Sequence, residues 1–171
     1  YSSKKAQLKI FEQQLELATQ IKLPLFLHQR DAHLDFYPLL AKYRHRIVGG
    51  VVHCFTASKE ILDSYLDLDM HIGITGWICD ERRGQDLQKI VHNIPENRLL
   101  IETDSPYLLP RTIRPKPKSR RNEPKFLPEV ANSVSEHSAK TPEEIATITT
   151  QNAITLFNLP IKDLTLNHPV D

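Results

Sequence analysis

No apolar run in this chain approaches the ~18 residues that a membrane-spanning helix needs. No charged-then-apolar leader opens it either, so a soluble, cytoplasmic protein with no membrane partner is expected. Cysteine is scarce. Cys54 and Cys79 are the only two and have no CxxC spacing, which excludes a disulfide framework and points to core thiols in a reducing compartment. Neither sign of charge is in excess: 22 Lys and Arg against 21 Asp and Glu give a net charge of +1. Global electrostatics therefore argues neither for nor against a nucleic-acid partner. There is no low-complexity segment. What is present is a 171-residue chain, 40% hydrophobic and 25% charged, long enough to bury a core.

Three short apolar runs in it stop at residues that bind metals: Leu25-Phe26-Leu27-His28, Val51-Val52-His53 and Leu99-Leu100-Ile101-Glu102-Thr103-Asp104. Each is too short for a helix and is bounded by loop-like sequence, so each reads as a buried parallel strand. The ligand-type residue falls at the C-terminal end every time, where the loops of parallel α/β folds converge and chemistry is placed. His28 and His53 lie 25 residues apart, the length of one strand, one helix and two loops, and Asp104 lies 51 further on, room for two such units. A strand from Met70 to Trp77 fills the gap. The expectation is an α/β fold of four successive parallel βα units, three with a candidate ligand at the top.

Around these strands the chain predicts a helix from Ser3 to Gln20, and a second carrying Leu34, Leu39, Leu40 and Tyr43 with a late start or kink at Pro38. A third follows the N-cap candidate Ser58, and a fourth carries Leu87, Ile90 and Val91. Residues 105 to 125 hold five prolines without periodicity and read as one long loop of functional type. A helix from Phe126 to His137 follows. Thr141-Pro142-Glu143-Glu144 is then a capping box with proline at the first helical position. Domain boundaries are set at residues 1–157, with a tail over 158–171.

A carboxylate flanked by two imidazoles is a mixed N/O set that suits a divalent ion of the magnesium, manganese or zinc kind and leaves positions open for water and substrate. Asp104 is suited either to bridge the metal or to take a proton from the attacking water. Along the last strand Leu100, Glu102 and Asp104 share one face. Taken singly, each histidine could be a bonded core residue; three ligand types at strand ends point to a metal. Arg30 and Asp31 are candidate partners for the second ring nitrogens, and His33 is within reach of the rim. Structural roles are expected of His33 all the same, and of His45, His71, His92, His137 and His168. In the long loop Arg111, Arg114, Lys116, Lys118, Arg120, Arg121 and Lys125 stand against one acid, Glu123, a cluster that favours phosphates in a salt-dependent way. Trp77 and Tyr107 could stack on exposed bases at the same rim.

The strings Leu27-His28-Gln29-Arg30-Asp31-Ala32, Val52-His53-Cys54-Phe55-Thr56, Ile72-Gly73-Ile74-Thr75-Gly76, Ile101-Glu102-Thr103-Asp104-Ser105-Pro106-Tyr107-Leu108 and Arg120-Arg121-Asn122-Glu123-Pro124 together resemble the TatD family of metal-dependent deoxyribonucleases, from about residue 1 to Phe157. The resemblance implies a TIM-barrel metal-dependent hydrolase that cuts DNA, typically as a magnesium-dependent 3′ to 5′ exonuclease. His28, His53 and Asp104 are then metal ligands and Asp104 a catalytic group. Arg30, Trp77, Tyr107, Arg120, Arg121 and Asn122 become candidate contacts to DNA, single-stranded by expectation.

Against the family pattern, this chain has no His-x-His pair and begins beyond the position of the family's fourth-strand glutamate; no strand precedes its first helix. A full barrel has eight strands over about 250 residues, so the chain resembles the C-terminal half of one. It is expected to be weakly active or inactive alone and able to self-associate through two unpaired sheet edges. Two other readings compete: an amidohydrolase acting on a small amide or ester, and a non-catalytic self-associating fragment.

Overall fold

The computed structural model describes residues 2–160; most of the expected tail, His168 included, lies outside them. Four short strands form one sheet in the order β1-β2-β3-β4: β1 Leu25–His28, β2 Gly50–His53, β3 His71–Ile74 and β4 Leu99–Ile101. All three pairings are parallel. Parallel neighbours require crossovers, and helices supply them. Helix α1 (Lys4–Ile21) precedes β1; α2 (His33–Tyr43), α3 (Lys59–Asp67) and α4 (Gln85–Ile90) follow the first three strands, and α5 (Leu127–Glu136) and α6 (Pro142–Phe157) close the chain. The four expected βα units are thus present.

The two faces of the sheet differ in kind. Leu27, Val52, Ile72, Ile74 and Leu99 point to the helices and join Leu15, Leu40, Leu62, Tyr65, Val130, Val134 and Ile145 in the buried core. By alternation, Phe26, His28, Val51, His53, Gly73, Leu100 and Glu102 belong to the opposite face. That face is only partly covered: Val51 is buried while Phe26 is 60% exposed. One helical face therefore makes the core, and the other carries the chemistry.

Local signals explain where elements stop. Ser3 caps α1, its hydroxyl accepting from the Ala6 N–H at 3.3 Å. Pro38 sits inside α2 without ending it; Leu34, whose carbonyl loses a partner there, is 87% exposed. At α6 the full capping box forms, with the Thr141 hydroxyl accepting from Glu144 N–H and the Glu144 carboxylate accepting from Thr141 N–H at 2.7 Å. Strand β3 ends earlier than the sequence predicts. The Thr75 hydroxyl accepts from Trp77 N–H and starts a 3-10 turn over Gly76–Cys79, so Trp77 leaves the strand. Ladder pairing of β4 likewise stops at Ile101, although the Glu102 N–H still donates to Ile74 carbonyl at 2.9 Å. Among the described residues, no helix is long and apolar enough to cross a membrane.

Candidate metal centre

His28 and His53 end adjacent strands and are partners in register. Both side chains rise from the same face, with ring centres 5.8 Å apart. The Phe26 ring packs 4.8 Å from that of His53. Beyond β4 the chain turns sharply at Asp104, in the left-handed region at φ 56°, which aspartate tolerates better than most residues. That turn brings the Asp104 Oδ1 to 3.5 Å from the His53 Nε2. On the other side of the ring, Nδ1 lies 2.6 Å from Glu102 Oε2. The other Glu102 oxygen accepts from the Cys54 N–H at 2.8 Å.

The donor set fits a divalent cation. Two N/O donors that each stand about 2.1 Å from one ion are roughly 3–3.5 Å apart, and the His53–Asp104 separation matches. Cys54 is the third residue of the tight group: one donor atom each from His53, Cys54 and Asp104 lie within 4.8 Å of one another. Burial pushes the Cys54 thiol up, however, and its sulfur is hydrogen-bonded with the Thr75 hydroxyl at 3.4 Å. Metals take the thiolate, so Cys54 is a poor ligand here. His28, exposed at the rim, stands beside the group rather than inside it. Of the three residues read from sequence, two meet and the third flanks them.

The partner of the ligand-type histidine is not Arg30 or Asp31, as the sequence suggested, but Glu102. Glu102 and the glycine that accommodates it were missed as site residues. A Cβ on Gly73 would come within 2.0 Å of Glu102 Oε1, so the absence of a side chain there is what leaves room for the carboxylate. The available signal was the alternation that puts Glu102 and Asp104 on one face. His33 also turns away from the centre, its Nδ1 3.1 Å from the Tyr65 hydroxyl.

The rim is more tightly paired than its sequence implies. Arg111 reaches Glu81 through two contacts of 2.9 Å. Arg114 donates to the carbonyls of Arg111, Thr112 and Ile113, and Lys125 pairs with Glu123 at 3.0 Å. Three of the seven cations are engaged this way: Arg111 by an acid of the loop after β3, Arg114 by carbonyls of its own loop, and Lys125 by the neighbouring Glu123. Arg120, Arg121 and Tyr107 are exposed. The Trp77 indole lies under two guanidiniums, Arg83 at 4.5 Å and Arg30 at 5.7 Å from its centre. Asn122 is a correction: it is 2% exposed, its amide donates to the Thr103 carbonyl, and its oxygen accepts from Glu123 N–H. It pins the loop to the end of β4 and offers nothing to solvent.

Asp80 anchors this rim. Burial alone would raise its carboxyl, but the N–H groups of Arg82 and Arg83 and the Arg83 guanidinium outweigh that and hold it at about 2. In an unfolded chain it returns to about 3.9. A folded-state value below the unfolded one gives stability that is present above pH ~4 and lost as pH falls toward 2, on the order of 2 kcal/mol. Urea titrations from pH 7 to pH 2 should show that loss, and Asp80→Asn should remove that part of the pH dependence.

Comparison with known proteins gives the chain a family. The family described as TatD related DNase matches residues 1–158. A protein of Edwardsiella piscicida called 3′-5′ ssDNA/RNA exonuclease TatD is 50% identical over 159 residues, covering 93% of this chain and 61% of that protein. One of the same name from Pantoea vagans is 49% identical over 149 residues, covering 87% of this chain and 57% of that protein. Among solved structures, a TatD homologue from Escherichia coli K12 superposes with a TM-score of 0.80 at 28% identity, over 91% of this chain and 58% of that one. The chain thus spans about three-fifths of the length of the relatives it matches.

Proposed function

Since the chain belongs to the TatD related DNase family and has a TIM-barrel-like α/β fold, we propose that it supplies the C-terminal half, residues 1–157, of a metal-dependent nuclease. Its reaction is hydrolysis of phosphodiester bonds in single-stranded nucleic acid from the 3′ end. DNA is the expected substrate, and the names of the relatives extend the class to RNA. The observation that carries this reading is the 3.5 Å approach of His53 Nε2 to Asp104 Oδ1 at the C-terminal ends of parallel strands.

His53 and Asp104 would hold the cation, with His28 as a further ligand from the neighbouring strand. A bound Mg²⁺, with Mn²⁺ or Zn²⁺ as alternatives, neutralises charge on the phosphoryl group and lowers the pKa of water. Asp104 has a second carboxylate oxygen, Oδ2, that can take the proton of the attacking water. The exposed Arg120 and Arg121 grip the backbone, Arg30 and Trp77 form one cationic, aromatic patch beside the centre, and Tyr107, 71% exposed, offers a stacking face. Asn122 contributes by fixing the loop. These 171 residues hold no His-x-His pair, so the chain alone should be weakly active. The outer edges of β1 and β4 would let it pair with itself.

The test is an assay of the whole protein on 5′-labelled single-stranded DNA with Mg²⁺ or Mn²⁺. A ladder shortening from the 3′ end is expected, abolished by chelation, with binding that weakens as salt rises. Intact DNA together with salt-indifferent turnover of a small amide or ester would overturn the nuclease reading in favour of an amidohydrolase.

A further inference from the structure

We propose that Glu102 is a positioning residue that fixes the tautomer and the aim of His53. It is bound on every side. Its N–H is tied to the Ile74 carbonyl, Oε1 accepts from the Cys54 N–H at 2.8 Å, and Oε2 meets His53 Nδ1 at 2.6 Å. The two side chains are 16% and 11% exposed, so water competes little for these bonds. A carboxylate held by a backbone N–H at one oxygen accepts from the ring at the other, which puts the hydrogen of that bond on Nδ1 and leaves Nε2 as the nitrogen that can take a cation. Nε2 is the atom that faces Asp104 Oδ1. The ring is thereby presented as a metal ligand through one defined nitrogen before any ligand arrives.

Geometry separates this role from general packing. A carboxylate that only filled space would not need two donors at 2.6 and 2.8 Å, one of them the backbone N–H of the residue after His53. Cys54, in the left-handed region at φ 49°, ends the strand and donates that N–H to Oε1. Glu102 itself stands one ring away from the group that would touch the ion, so it acts through His53.

The proposal rests on the metal reading above, and its test keeps the two apart. In the metal-free whole protein, ¹⁵N correlation spectra of the histidine rings should show His53 protonated at Nδ1. In Glu102→Ala that signature should shift toward the Nε2–H form, and Mn²⁺ affinity should drop about 10–100-fold. Glu102→Gln, whose amide oxygen can still accept from the ring, should recover part of both. An Nε2–H tautomer in the wild type would overturn the proposal whether or not the alanine variant folds. So would an unchanged tautomer and unchanged Mn²⁺ affinity in Glu102→Ala. If the wild type binds no Mn²⁺ while the tautomer still shifts in the variant, the metal reading falls and the positioning role stands.

Discussion

His53→Ala in the whole protein is expected to abolish hydrolysis, lowering kcat/KM by about 10³-fold or more, a loss of about 4 kcal/mol in transition-state stabilisation. The magnitude follows from where the ring stands. It touches Glu102 through Nδ1 and Asp104 through Nε2, so its removal deletes a ligand and also leaves two carboxylates facing one another across the space it filled. Like charges at short range disfavour the arrangement each was held in. Asp104 would then be misplaced even where it remains chemically intact. Mn²⁺ titration of the same variant separates this from unfolding: circular dichroism should be preserved while cation binding is lost. Cleavage near the wild-type rate would remove His53 from the chemistry.

How much of this was legible beforehand differs from residue to residue. His28 and His53 were readable because each closes a run of apolar residues, and the period of a parallel α/β chain places such ends on one side of a sheet. The start of α6 was equally plain, since a capping box is a local signal that needs no tertiary partner. Glu102 was different. Its importance depends on three contacts, with Cys54, His53 and Gly73, that come from two other strands, and register across a sheet is not written in any one segment. The same applies to the basic loop. Arg111 looks unpaired until the loop after β3 folds back and brings Glu81 to it. Asn122 sits in a polar string, and only the fold shows that its amide is used up on backbone. Charges and amides are cheap to expose, so sequence alone overstates how many remain open to a ligand.

Gly73→Ala carries the remaining large effect, and its interest is that function should be lost while the fold is kept. The added Cβ would fall 2.0 Å from Glu102 Oε1 and 2.8 Å from its carboxyl carbon. What it meets first is the far end of a side chain rather than backbone, while Val51 Cγ2 at 3.3 Å is closer than an ordinary contact and must give by a few tenths of an ångström. Gly73 is not among the residues with positive φ, so alanine adopts its backbone without strain, and replacing a strand glycine is itself worth about 0.5–1 kcal/mol. Gly50 is the contrasting case: a Cβ there would strike the Leu25 carbonyl oxygen at 2.4 Å, which is backbone of the paired strand and cannot step away. Gly73→Ala should therefore still fold, with a lowered Tm because the displaced carboxylate gives up its bonds to the Cys54 N–H and His53 Nδ1, and should lose about 10–100-fold in Mn²⁺ affinity and in nuclease activity. Thermal melts and cation titrations on one preparation decide it. Full activity with a normal melt would mean that the carboxylate finds its partners from another position, and that the missing side chain at Gly73 is not what holds the ring in place.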